Sequence, residues 1–189
     1  MSAHPTNADP TARLFAALHF AAHKHRRQRR KDPEASPYIN HPIAVAELLA
    51  RVGGVTDLAT LQAALLHDTL EDTETTPNEL DEQFGREVSL VVQELTDDRS
   101  LPQHERKRLQ IEHTRHLSDA AKRIKIADKI SNIEDVTLTQ PIDWTLQRKW
   151  EYLEWADRVV AGCRGCSKAL EQHFDAVLKA KRQTLETAG

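Results

Sequence analysis

The chain has 189 residues, of which 39% are hydrophobic and 29% are charged, with a formal net charge of −3 at pH 7. This composition excludes an intrinsically disordered chain, which would carry fewer large aliphatic residues, and the length predicts one domain around a single hydrophobic core. The slight negative charge argues against a surface that is basic overall and binds nucleic acid.

Few glycines and many helix-forming residues predict an all-α fold. Residues 1–10 are polar and predict a flexible tail before a folded domain over residues 11–189. The tail has no apolar segment of the kind that signal peptides carry. The longest apolar runs, such as residues 63–66, are far shorter than the roughly 20 residues of a membrane span. We therefore expect a cytoplasmic protein that does not enter a membrane.

The first predicted helix begins with Thr11 as its N-cap, and apolar residues then recur at helical spacing. Six cations follow within residues 24–31. Pro33 is predicted to stop the helix, because proline restricts the residue before it. The basic cluster therefore lies at a helix end, where it could be a solvated face, a nucleic-acid patch or a wall that binds an anionic substrate.

Capping and periodicity signals predict further helices along the rest of the chain. Three of these helices are predicted to begin at Pro42, after Asp57, and at the capping-box spacing of Thr76 and Glu79. Further helices are predicted over Val88 to Leu95, around Leu109, and over Ser118 to Val136, Trp144 to Val160 and Ser167 to Leu185. Gly53-Gly54 and Phe84-Gly85 are predicted ends, and prolines 102 and 141 predict turns. The expected architecture is a single-domain bundle of about eight to ten helices.

Cys163 and Cys166 form a lone C-x-x-C pair. A zinc ribbon needs two such pairs, and a thioredoxin-like redox site needs a surrounding βαβ pattern. The sequence contains neither, so we predict two cysteines that flank a helix and bind no metal.

Ionisable residues follow the apolar run of residues 63–66. His67 and Asp68 come first, and Glu71 and Asp72 follow four residues after each, so on a continuous helix all four would project from one side. A histidine and carboxylates that enter a core must be paired or bind a metal, because an unpaired charge is costly to bury. The alternative is a solvated acidic helix end.

His41 and Asp128 are the further candidate ligands. His41 lies near a turn, where a histidine is more often a surface or capping residue than a ligand. Asp128 shares a polar stripe with Asn132 and Asp135, beside a stripe of core isoleucines, and such a stripe alone is usually the wet face of a helix. A divalent ion needs ligands that converge from different elements. The argument for a metal site therefore rests on the combination with His67 and Asp68.

Three motifs occur in a characteristic order: YINHP at residues 38–42, HDTLEDT at 67–73 and ADKISN at 127–132. With them, the chain resembles the HD superfamily of metal-dependent phosphohydrolases and, more narrowly, the hydrolases of the Rel/SpoT alarmone family, over Phe15 to Trp155. It resembles in particular the stand-alone small alarmone hydrolases, including the animal SpoT-homologue type. Ser131 departs from the family pattern, which has a larger aromatic or histidine side chain there, and we expect altered nucleotide contacts at this position.

The resemblance implies an HD-domain helical bundle and a set of site residues. One divalent cation, Mn²⁺ by the family pattern, would be held by His41, His67, Asp68 and Asp128. Chemistry alone would allow Mn, Fe, Co or Zn about equally. By the same resemblance, Glu71 and Asp72 would orient the attacking water and accept its proton, and Arg30, Lys31 and Asn132 would contact the nucleotide.

The implied reaction is hydrolysis of guanosine 3′,5′-bis(diphosphate), ppGpp, and of pppGpp, to GDP or GTP and pyrophosphate. One alternative keeps the chemistry on another nucleotide, as a 5′-nucleotidase, a cyclic-dinucleotide phosphodiesterase or an NADPH phosphatase. A nucleic-acid module would use the basic cluster, with binding that weakens steeply with salt, and would leave the ionisable cluster unexplained. We expect a guanine nucleotide as the partner and no nucleic acid, and the sequence leaves a homo-oligomer open.

Overall fold

A computed structural model gives the fold and describes residues 9–32, 34–138 and 144–187. The α-helices are α1 (Pro10–Lys24), α2 (Asn40–Arg51), α3 (Leu58–Leu66), α4 (Thr69–Asp72), α5 (Pro77–Phe84), α6 (Arg86–Leu95), α7 (Gln103–His113), α8 (Asp119–Leu138), α9 (Leu146–Ala161) and α10 (Lys168–Glu186), with a 3-10 helix at Thr114–His116. These ranges contain no β-strand, only an isolated bridge between Arg29 and Pro37. The predicted all-α fold is confirmed.

Helix α8 is the centre of the bundle, because α2, α3, α6, α9 and α10 all pack against it. Its core stripe consists of Ile126, Ile130 and Ile133, which are fully buried as predicted. Burial of one such side chain contributes about 1.5–3 kcal/mol. The packed stripe holds the polar residues of the same helix in a defined place. No helix within the described ranges has the length and apolar character to cross a bilayer.

The start and end of α1 differ from the prediction. Asp9, not Thr11, is the N-cap, since its carboxylate accepts hydrogen bonds from the backbone N–H groups of Thr11 and Ala12. The helix ends at Lys24, well before Pro33, because the chain then turns back on itself and the N–H of Arg30 donates to the carbonyl of Ser36. Residues 1–8 of the predicted tail and Pro33 lie outside the described residues.

The prediction that the helix after Asp57 continues to Asp72 is wrong. The helix breaks at His67 and Asp68. Two side chains form hydrogen bonds with backbone carbonyls at the end of α3. Thr69 Oγ1 donates to Leu66 O at 2.6 Å, and His67 Nδ1 lies 2.7 Å from Ala64 O. Helix α4 then starts at Thr69. His67 and Asp68 therefore lie in the turn between the two helices.

Most of the other predicted boundaries are confirmed by their caps. Asp57 accepts from the N–H of Thr60 at the start of α3, and Thr76 accepts from the N–H of Glu79 at the start of α5. The carboxylate of Glu79 pairs with Lys24 at 2.9 Å, so it serves a tertiary contact. Gly85 ends α5 with a φ of +89°, a conformation that favours glycine. Pro141, a predicted turn residue, lies outside the described residues.

The two cysteines have no disulfide partner. Cys163 is buried against α9, and Cys166 is partly exposed. Burial raises the pKa of the Cys163 thiol to about 12, so it is protonated and unreactive at neutral pH. Both cysteines lie between the end of α9 and the start of α10, as predicted for residues that flank helices.

The junction between α9 and the 3-10 helix leaves no space for a side chain at Gly162. A Cβ at this position would lie 2.2 Å from Oγ1 of the buried Thr114. We expect Gly162→Ala to lower the free energy of unfolding by about 1–3 kcal/mol, measured by urea denaturation. The double variant with Thr114→Ala should lose less stability than the two single variants together. Strictly additive losses would contradict this steric explanation.

Candidate metal centre and active site

A cleft of about 840 Å³ opens between α2, α4, α7, α8 and α9. The four predicted metal ligands, His41, His67, Asp68 and Asp128, line it together. Its volume lies within the range of roughly 300–1,000 Å³ that is usual for small-molecule sites. The cleft is therefore large enough for a nucleotide.

The four predicted ligands come from α2, from the turn between α3 and α4, and from α8. His41 Nε2 lies 3.2 Å from Asp128 Oδ1 and 3.8 Å from Asp68 Oδ2. His67 Nε2 lies 3.1 Å from Asp68 Oδ2 and 4.0 Å from Asp128 Oδ1. The candidate donor atoms of His41, His67 and Asp128 all lie within 4.8 Å of one another, which is the spacing of ligands around one metal ion.

The histidine rings present Nε2 to this cluster. His67 donates from Nδ1 to the carbonyl of Ala64, and His41 Nδ1 lies 3.1 Å from Ser131 Oγ. Contacts of this kind on one ring nitrogen orient the other toward a metal. His67 Nε2 is buried and completes no hydrogen bond with any described atom. This nitrogen lies only 3.1 Å from Asp68 Oδ2, and a buried imidazole nitrogen this close to carboxylates fits a divalent cation.

Ser131, which departs from the family pattern, lies beside one of the predicted metal ligands. It is only 6% exposed and contacts the ring of His41. It is not among the residues that line the cleft. The altered nucleotide contacts expected at this position stay a prediction.

The charges in the cluster favour ionised carboxylates. Burial opposes ionisation of Asp68, but His67 and His41 outweigh it and hold the pKa of this carboxyl well below its usual range. Burial is likewise outweighed at Asp128, where Lys129 and His41 lower the pKa. Burial lowers the pKa of His41, whereas Asp68 overcomes burial at His67 and raises its pKa to about 9. Both carboxylates are thus available as anionic ligands at neutral pH.

Further side chains orient the ligand carboxylates. Tyr38 donates its hydroxyl to Asp68 Oδ2 at 2.7 Å. Lys129 donates to Asp128 Oδ2 at 2.9 Å, and its ammonium lies 4.5 Å from the ring centroid of Trp155. Sequence reasoning gave no role to Tyr38 or Lys129. Their positions inside the YINHP and ADKISN motifs could have identified them as residues of the site.

The predicted catalytic carboxylates lie beside the metal cluster on α4 and line the same cleft. Glu71 accepts from the backbone N–H of Asp97 at 3.2 Å and pairs with Arg106 at 3.2 Å, and Asp72 pairs with Arg99. Burial raises the pKa of both carboxyl groups, and the charge of Asp97 adds to this effect at Glu71. A carboxylate with a raised pKa is suited to accept a proton near neutral pH.

The predicted nucleotide-binding residues lie in two environments. Asn132 lines the cleft and accepts a hydrogen bond from Arg30 Nη2 at 3.1 Å. The guanidinium of Arg30 also pairs with Asp135 and lies 5.7 Å from the ring centroid of Tyr38. Lys31 is exposed and is not among the residues that line the cleft. Its contact with a nucleotide stays a prediction.

Sequence reasoning did not find the aromatic wall of the cleft on the side of α7 and α9. Arg148 stacks on Trp144, with 4.5 Å from the guanidinium carbon to the ring centroid. Lys107 lies 4.9 Å from the ring centroid of Trp155 and 5.8 Å from that of Tyr152. Flat rings next to cations can contact an aromatic base and anionic phosphates. In the sequence, these residues have the spacing of ordinary core positions.

Comparison with known proteins gives a consistent result. Residues 17–152 match the family model described as HD domain. The chain is 53% identical to guanosine-3′,5′-bis(diphosphate) 3′-pyrophosphohydrolase MESH1 of Xenopus tropicalis over 87% of this chain and 92% of the relative. It is 50% identical to MESH1 of Homo sapiens over 92% and 97% of the two chains. A solved structure, described as a metazoan orthologue of SpoT that hydrolyses ppGpp, superposes with a TM-score of 0.88 at 43% identity and covers 92% of this chain and 97% of its own.

Proposed function

The chain belongs to the HD domain family and, within it, to the group that contains the metazoan SpoT orthologues, and we propose that it removes the 3′-pyrophosphate from ppGpp. The products are GDP and pyrophosphate, and the same reaction on pppGpp leaves GTP. One observation carries the proposal: four metal-ligand side chains and two further carboxylates converge in one nucleotide-sized cleft. Similarity to enzymes named for this reaction extends over most of the chain.

We assign His41, His67, Asp68 and Asp128 as the ligands of one divalent cation, and Mn²⁺ as that cation. Mixed imidazole and carboxylate donors suit Mn²⁺ as they suit other transition metals, so the choice of Mn²⁺ rests on the family resemblance. When bound, the cation supplies Lewis acidity, which lowers the pKa of a water and stabilises charge on the attacked phosphoryl group.

Glu71 and Asp72 are assigned as the groups that orient the attacking water. The water oxygen bonds to the phosphorus attached to the ribose 3′ oxygen, and the bond between that phosphorus and the 3′ oxygen breaks. Glu71 accepts a proton from the water, and the 3′ oxygen takes up a proton from solvent water to become the hydroxyl of GDP. The contacts of Glu71 with Arg106 and with the N–H of Asp97 hold its carboxylate beside the metal ligands.

Arg30, Lys31 and Asn132 are assigned to bind the nucleotide. A guanidinium can stack on a flat base or bind phosphate oxygens in a bidentate manner. Arg30 donates a hydrogen bond to Asn132, which lines the cleft, and this contact supports the role. In this proposal the enzyme acts on a free nucleotide in the cytoplasm. Its catalytic domain spans residues 11–189.

The test is incubation of the purified chain with ppGpp and Mn²⁺, with and without a chelator, followed by chromatography of the products. We expect GDP and pyrophosphate in equal amounts with Mn²⁺ and no product with the chelator. An NADPH phosphatase would instead release inorganic phosphate from NADPH and leave ppGpp intact. Hydrolysis that is unaffected by the chelator would contradict the metal-dependent mechanism.

A further inference from the structure

Lys125 on α8 is buried and has no anionic partner within the described ranges of the chain. Lys125 is only 7% exposed, and its ammonium donates a hydrogen bond to the carbonyl of Leu95 at 3.3 Å. Among the described residues, no carboxylate lies within ion-pair distance of Lys125. Lys129, one turn later, is by contrast paired with Asp128 at 2.9 Å.

An unpaired ammonium is costly to bury, and an apolar side chain at this position would avoid that cost. The neighbours of Lys125 in the sequence, Ile124 and Ile126, are fully buried apolar residues. Burial and the nearby charge of Lys129 lower the pKa of Lys125, as expected for a cation without a counter-ion. These features leave the charge of Lys125 without a counter-ion among the described residues, and an anion from outside the chain would compensate it.

Lys125 lies where the main cleft meets a side cavity of about 230 Å³, and it lines both. Arg106 also lines both cavities. Arg106 Nη1 pairs with Glu71 at 3.2 Å, whereas its Nε is buried and has no hydrogen-bond partner among the described atoms. The junction therefore has two cations with unused donors next to the proposed catalytic carboxylate.

Two carboxylates lie at the same junction: Glu71, which pairs with Arg106, and Asp97. The carboxylate of Asp97 accepts a hydrogen bond from Gln110, and its backbone N–H donates to Glu71. Both carboxylates oppose the binding of an anion, so the subsite depends on the unused donor groups of Lys125 and Arg106.

We propose that Lys125 and Arg106 form an anion subsite that binds the pyrophosphoryl group of the substrate and then the pyrophosphate product. The identity of the anion rests on the proposed function. The subsite itself rests on the unpaired buried charge and the unused donor at the junction. Since Arg106 also contacts Glu71, the subsite places the pyrophosphoryl group beside the group that activates water.

The test is the affinity of Lys125→Met for inorganic pyrophosphate, with Lys122→Met as the matched control. Lys122 lies on the same helix, is partly exposed and does not line the cleft. Titration calorimetry at constant ionic strength, with EDTA present, excludes binding through a metal. We expect the wild type and Lys122→Met to bind alike, and Lys125→Met to bind about 10-fold more weakly or worse, as for the loss of a hydrogen bond to a charged group.

Thermal unfolding separates binding from a structural role. Without ligand, Lys125→Met should be at least as stable as the wild type, because it removes an unpaired buried charge. At the same concentration, pyrophosphate should raise the Tm of the wild type more than that of Lys125→Met. If Lys125→Met does not fold, Lys125→Gln takes its place with the same expected loss of affinity.

Unchanged pyrophosphate affinity in the variant, or no binding by the wild type, would overturn the subsite. These measurements need no turnover, so they are independent of the proposed function. Pyrophosphate binding that depends on Lys125 in a protein that does not hydrolyse ppGpp would support the subsite and contradict the function. Hydrolysis of ppGpp, together with pyrophosphate binding that does not depend on Lys125, would support the function and contradict the subsite.

Discussion

Asp68→Ala is expected to abolish metal binding and hydrolysis together. Oδ2 of Asp68 lies 3.1 Å from His67 Nε2 and 3.8 Å from His41 Nε2, so it borders the point where the donor atoms converge. Its removal takes away one anionic ligand and leaves two buried imidazoles less able to hold a cation. Loss of a Lewis acid worth several kcal/mol lowers kcat/KM by about 10³-fold or more.

Two measurements check this prediction: the Mn²⁺ content of the protein after dialysis, and steady-state turnover of ppGpp. Mn²⁺ should raise the Tm of the wild type and leave that of Asp68→Ala unchanged, because a ligand stabilises only a protein that binds it. Asp175→Ala is the matched control, since Asp175 is an exposed carboxylate on α10 that pairs with Arg164. Full Mn²⁺ content and turnover in Asp68→Ala would remove Asp68 from the ligand set.

Local signals predicted most of the fold. Asp57 and Gly85 were identified because a cap depends on a few adjacent residues. The predicted start of α1 was wrong because two N-caps compete there, and Asp9 has the advantage that Pro10 then occupies the first helical position, where proline is favoured. The predicted end at Pro33 was wrong because the reversal after Lys24 depends on hydrogen bonds across a loop, such as that between Arg30 and Ser36.

The break between α3 and α4 shows why the geometry of the site was harder to predict. The hydrophobic pattern is continuous up to residue 66, and only the bonds from Thr69 and His67 to backbone carbonyls interrupt the helix. Local competition between side chain and backbone of this kind is not visible in helical periodicity. The prediction that the ionisable residues gather on one side is nonetheless confirmed in effect, because all of them line the cleft.

The candidate ligands could be predicted from motifs, whereas several of their partners could not. Tyr38 and Lys129 lie inside the motifs and could have been assigned from them. Arg106 is 35 residues from Glu71 in the sequence, and Arg99 reaches Asp72 from the loop before α7. Tertiary packing alone brings these side chains to α4, so no spacing rule connects them to the catalytic carboxylates.

Glu71→Gln is expected to keep the metal and lose the reaction. The amide oxygen can still accept one of the two hydrogen bonds that Glu71 receives, from Arg106 at Oε1 or from the N–H of Asp97 at Oε2, so most of the local structure should persist. An amide cannot accept a proton from water, and loss of a general base lowers kcat by about 10²–10⁴-fold. Metal analysis and turnover on the same sample separate this result from that of Asp68→Ala. Glu74→Gln is the matched control, because Glu74 is exposed and lies outside the cleft.

The pH profile gives an independent test of the same assignment. Burial and the charge of Asp97 raise the pKa of Glu71 above its ordinary value of 4.5. A general base works only when ionised, so kcat/KM of the wild type should fall as the pH drops through this raised pKa, and the acid limb should lie above pH 4.5. The residual activity of Glu71→Gln should lack that limb. An acid limb that persists unchanged in the variant would assign the titration to another group, and loss of metal from the variant would make Glu71 a ligand and not the base.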